Sequence, residues 1–182
     1  MKKHQIVSYN LFFTTVLLTF FNFSNAQKST ALLQKLINQK STSKIEKIAF
    51  LCELSQQLSH IDSIQAYTFA NEALDISEGL GLKTKQVIAL DNLSKLSGMY
   101  NDSPNQIRYA DKCFLMASQT DDPEAKAYAN YAIALKYRLI EDNERYISNM
   151  LKALSYFEKT KTRYFSNLAR VKTVFRASFL LV

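Results

Sequence analysis

Asp62-Ser-Ile-Gln-Ala-Tyr-Thr-Phe-Ala-Asn-Glu-Ala-Leu-Asp-Ile-Ser77 decides the fold, because the stretch returns twice. At a shift of 40, Ala66, Ala70, Ala73, Leu74 and Ile76 fall on Gln106, Ala110, Cys113, Phe114 and Met116. At a second shift of 40 they fall on Tyr146, Met150, Ala153, Leu154 and Tyr156. Ala73, Cys113 and Ala153 are small, and each is followed by a large apolar residue. A fixed period of this length means stacked copies of one supersecondary unit.

Working outward, helix signals bracket each copy. Ser43-Lys-Ile-Glu46 is a capping box, in which the Ser hydroxyl and the Glu carboxylate satisfy each other's backbone N–H groups. It predicts a helix to about Ser59. Asp62-Ser-Ile-Gln65 opens a second helix, to about Glu78, ended by Gly79 and Gly81. Lys83 to Tyr100 follows. Ser103-Pro-Asn-Gln106 supplies a cap at Ser103 and a proline in the first turn, and Asp122-Pro123 repeats the device. Further helices are expected near 103–119, 122–140, 143–159 and 162–179. Upstream, Leu32, Leu33, Leu36 and Ile37 form one stripe of a short helix over Ala31 to Lys40, suited to cover the open end of a stack.

Loops of two to five residues force consecutive helices into antiparallel hairpins. Only three Gly and two Pro occur in 182 residues, and 47% of the chain is hydrophobic. The fold class expected is all-α: antiparallel helix hairpins stacked as a short right-handed solenoid, in which neighbouring hairpins bury the face that none can bury alone.

Residues 1–26 read as a secretory signal peptide, with Lys2, Lys3 and His4 before the apolar run Leu11 to Phe21 and small residues Ser24 and Ala26 at the cut. Cleavage after Ala26 places the chain in the periplasm or outside the cell. A membrane then enters only through this segment, were it uncleaved. Two of the 23 cationic residues leave with it and no acid does, so 21 cations face 16 carboxylates. The excess gathers after Glu158, in Lys159, Lys161, Arg163, Arg170, Lys172 and Arg176. It reads as a solvated helix face, and with export no nucleic-acid partner is expected. Cys52 and Cys113 fall in different repeats, and Cys113 stands where Ala73 and Ala153 stand, so both read as small buried residues and not as a bridge.

The pattern resembles the tetratricopeptide-repeat family. Ile133, Ala134 and Tyr137 fill the large, small and aromatic slots of that family's first helix, as do Leu54, Ser55 and Leu58. Leu93 and Ser94 fit while Ser97 departs; Ala66, Ala73 and Leu74 fit the second helix, while Gln106 and Tyr146 replace its small residue. The spacing of 39 to 40 is longer than the family's usual ~34. The organisation expected is a signal peptide over 1–26, a capping helix within 27–42, and a repeat array over 43–182 of about three repeats with an incomplete fourth. A signal peptide ahead of such repeats also resembles the exported front half of bacterial sensor kinases and helix-turn-helix regulators.

No chemistry stands out. After export His60 is the one histidine left, and no His/Cys/Asp/Glu group has metal-ligand spacing. Gly79-Leu-Gly81 is too short to cradle a phosphate, and Asp121-Asp122 reads as a helix cap. The expectation is a non-catalytic chain without cofactor or metal. The resemblance implies that the first helix of each hairpin lines a concave face. Mapping by slot gives Cys52, Gln56 and Ser59, then Asp91, Lys95 and Met99, then Tyr131, Leu135 and Arg138. Such a face suits a protein or peptide partner. The function expected is an exported scaffold for protein or peptide binding; the alternative is a truncated extracytoplasmic sensor region of a signal-transduction protein. The apolar surface of 162–179, with Phe165, Leu168, Val174 and Phe175, points to self-association through that end.

Overall fold

The computed structural model describes residues 30–39 and 42–160, and every regular element among them is a helix. A short helix α1 spans 30–37. Six longer ones follow: α2 (Lys44–Leu58), α3 (Ser63–Gly79), α4 (Lys83–Met99), α5 (Ser103–Ala117), α6 (Pro123–Leu139) and α7 (Asn143–Thr160). The expected signal peptide over 1–26 and the expected helix over 162–179 lie outside the described residues.

Every helix from α2 to α7 except α4, which follows Leu82, starts on a side-chain cap. Ser43 and Glu46 form the full capping box on α2. Asp62 accepts from Gln65 N at 3.0 Å, Asp102 from Asn105 N at 3.2 Å, and Asp142 from Arg145 N at 3.0 Å. The cap of α5 is therefore Asp102 and not Ser103, which becomes the first helical residue. A carboxylate at the positive end of the helix outcompetes the hydroxyl beside it.

The helix ends are equally specific. Gly81, Asn101 and Glu141 take positive φ of 65°, 57° and 60°. In each case the next amide reaches back to the carbonyl five residues earlier: Leu82 N to Ser77 O at 2.9 Å, Asp102 N to Ser97 O at 2.8 Å, Asp142 N to Tyr137 O at 3.0 Å. This is the Schellman closure, which satisfies the last carbonyls and turns the chain at once. Asp102 and Asp142 thus end one helix and cap the next.

Each helix from α2 to α6 packs on its successor, and the short linkers make packed neighbours antiparallel. The central helix α4 also packs on both α2 and α6. It is consequently buried around most of its girth, ten of its 17 residues being inaccessible. The small positions of the repeat lie at the crossings: Ala66, Ala70, Ala73, Ala110, Cys113, Ala117 and Ala153 are all buried. Removing side-chain bulk there lets backbones approach. Leu74 packs against all three apolar clusters, which run from Ile37 and Ile48 at one end to Leu154 and Phe157 at the other. Both cysteines are buried and free.

A candidate groove across three helices

Helices α2, α4 and α6 present one side to a groove of about 910 Å³. Its apolar lining includes Ile48, Ile88, Leu96, Met99, Tyr128, Tyr131 and Leu135. Tyr128 packs edge-to-face with the Phe157 ring on α7, with centroids 5.1 Å apart. The polar lining includes Gln56, Asn92, Lys85, Lys95, Glu124 and Arg138.

A ladder of amides ties α2 to α4 along the floor. Gln56 Nε2 donates to Asn92 Oδ1 at 3.0 Å, and Asn92 Nδ2 donates to the Cys52 carbonyl at 3.4 Å. Beside it, Lys95 Nζ lies 2.8 Å from Asp91 Oδ2 and 5.8 Å from the centroid of the Tyr131 ring. The ammonium therefore bridges a buried carboxylate and an aromatic face of the neighbouring repeat. At the opposite end Lys85 and Glu124 approach to 4.0 Å.

Burial governs the titrating groups. It raises the Asp91 carboxyl above the ordinary carboxylate range, and Lys95 opposes that shift by its charge and its hydrogen bond. It pushes the Cys52 thiol up to about 12, which leaves the sulfur protonated and unreactive at neutral pH. The Tyr128 and Tyr131 phenols also rise, first through burial and then through the Asp91 charge. Among the described residues no group of three or more His, Cys, Asp or Glu side chains could hold a metal ion. No described helix is long and apolar enough to cross a membrane.

Of the side chains expected on the concave face, Gln56, Lys95, Tyr131, Leu135 and Arg138 line the groove, with Cys52, Ser59 and Met99. Asp91 does not line it; its side chain is fully buried, and only its partner Lys95 reaches the opening. Asn92 holds the lining position instead. The step from Cys52 is 40 residues to Asn92 and then 39 to Tyr131, whereas the slot mapping takes 39 first. Sequence reasoning also misses Tyr128, and it misses the pair Gly98 and Gln106. Both of that pair line the groove. The available signal for the pair is the presence of a glycine and a long polar residue where the first repeat has Leu58 and Ala66.

No family model matches the chain, and no curated protein matches it.

Proposed function

We propose that this chain is an exported, non-catalytic scaffold of the tetratricopeptide kind, whose hairpins stack in a right-handed sense and whose groove holds a peptide segment of a protein partner. The observation that carries this reading is the lining of the groove. Three parallel-running helices contribute aromatic, thioether and aliphatic side chains beside amides and an exposed arginine, Arg138. Surfaces of this mixture are the ones proteins use to anchor other chains, with aromatic residues and Arg supplying most of the binding energy. The volume is sufficient for several side chains of a bound segment.

Two features favour binding over catalysis. The buried Asp91 carboxylate behind the groove is engaged by Lys95, and the one thiol that lines the groove is held protonated. Export rests on the basic, then apolar, then small-residue order of 1–26.

The test is selection from a displayed library of random dodecapeptides on the full chain. Enriched peptides should bind the wild type and lose about tenfold or more in affinity with Tyr131→Ala or Arg138→Glu, as truncation of an anchor does. Peptides that bind equally to both variants would place recognition elsewhere on the protein and reject the proposal.

A further inference from the structure

Gln106 stands in the first turn of α5, in the slot held by Ala66 in the first repeat and Tyr146 in the third. It is 5% exposed, and it lines the groove. Its backbone carbonyl accepts from Ser94 Oγ at 3.2 Å. Its side-chain carboxamide has no hydrogen-bond partner among the described residues. Neither of its polar atoms is fully sealed from solvent, so the carboxamide stands in the groove wall with its donors and acceptor open to a bound group.

The amide is held there by a gap in α4. A Cβ on Gly98 would lie 2.9 Å from Gln106 Cδ, Oε1 and Nε2 alike, so the carboxamide rests on the bare Cα of that glycine. Leu58 stands 40 residues before Gly98 and packs in one apolar cluster with Ala66, whereas the central repeat leaves room there for the amide. Leu96 and Met99 line the groove beside it. An apolar surround strengthens whatever hydrogen bond the amide makes.

We infer that the Gln106 carboxamide is a recognition group of the groove, pairing with one backbone peptide group of a bound, extended segment. This rests on the groove reading above. The chemistry of the carboxamide selects the partner. It offers N–H donors and a carbonyl acceptor in one plane, and a peptide group offers the complement of both. A carboxylate would oppose the acceptor, and a guanidinium would oppose the donors. Two of the groove's cations, Lys95 and Lys85, already face Asp91 and Glu124. An extended chain leaves its N–H and C=O groups open for this pairing.

The experiment uses the full chain and an enriched dodecapeptide, resynthesised with each backbone nitrogen methylated in turn. One methylation should weaken binding to the wild type about tenfold, Gln106→Met should weaken the unmodified peptide similarly, and the two losses should not add. Gln106→Met keeps the volume and removes both polar atoms, so its melting temperature should be unchanged or raised. Gly98→Ala, which displaces the carboxamide, should reproduce the loss. A peptide that depends on Arg138 yet is indifferent to Gln106→Met overturns this inference and leaves the groove reading intact. A peptide indifferent to both, or no enriched peptide, overturns the two together.

Discussion

The carboxamide of Gln106 rests on the bare Cα of Gly98, with three of its atoms 2.9 Å from where a Cβ would stand. One residue is small because the other is large. Leu58 and Ala66 solve the same crossing the opposite way, packed together in one apolar cluster. The pair should therefore be coupled. In a Gln106→Ala background, Gly98→Ala should raise stability by about 1 kcal/mol, the ordinary helix gain over glycine. In the wild-type background that gain should vanish or reverse, giving a coupling of about 1 kcal/mol in a double-mutant cycle of denaturant midpoints. Additive effects would separate the two residues.

Lys95 and Asp91 are the second coupled pair. Lys95→Met removes the cation that offsets a fully buried carboxylate and should cost about 3 kcal/mol. Asp91→Leu combined with Lys95→Met should come close to wild-type stability, since the desolvation cost leaves with the charges. A double variant no more stable than Lys95→Met would show that the pair contributes net stability.

The same site fixes a pH dependence. The folded pKa of Asp91 is raised, chiefly by burial, against the charge of Lys95; the other titrating groups coupled to it are Cys52, Cys113, Tyr128 and Tyr131. A raised carboxyl pKa means that the folded state holds the proton more tightly than the unfolded one. Asp91 thus weighs against the fold above its folded pKa and is relieved as pH falls through it. Relative to Asp91→Asn, the wild type should gain stability on acidification from neutral pH, read as the difference in melting temperature. A wild type that loses ground to Asp91→Asn on acidification would mean that the ion pair outweighs burial.

The three helix ends differ in their fitness for one backbone shape. Gly81 adopts positive φ freely, whereas Glu141 does so at φ 60° against the clash of its own Cβ. Glu141→Gly should raise stability by about 0.5 kcal/mol, and Gly81→Ala should lower it by about 1 kcal/mol. Thermal unfolding of both variants checks the sign, and a destabilised Glu141→Gly would contradict the reading.

Much of the architecture is legible in the sequence because its signals are local. Ser43 with Glu46, Asp62, Pro104 and Pro123 announce helix starts within one turn, and the boundaries they imply lie within a residue or two of those observed. The period of 40 marks Ala73, Cys113 and Ala153, which are buried alike. The groove is less legible, for a tertiary reason. Helix α4 lies between α2 and α6 and is enclosed on several sides, so polar residues there do not mark a wet face. Asp91, Asn92, Ser94 and Ser97 are all buried, and which of them faces the opening depends on a one-residue difference in spacing between repeats. The Gly98 and Gln106 exchange is visible only when the crossing helices are seen together.

The central claim is that a bound peptide lies across α2, α4 and α6, and chemical-shift mapping tests it most directly. The full chain, isotopically labelled, would be titrated with an enriched dodecapeptide. Perturbations should gather on Gln56, Asn92, Lys95, Tyr131, Leu135 and Arg138 and should spare the outward Lys112, Leu115 and Leu151. Perturbations centred on Phe114, Leu115 and Leu151, with the groove residues unmoved, would contradict the account.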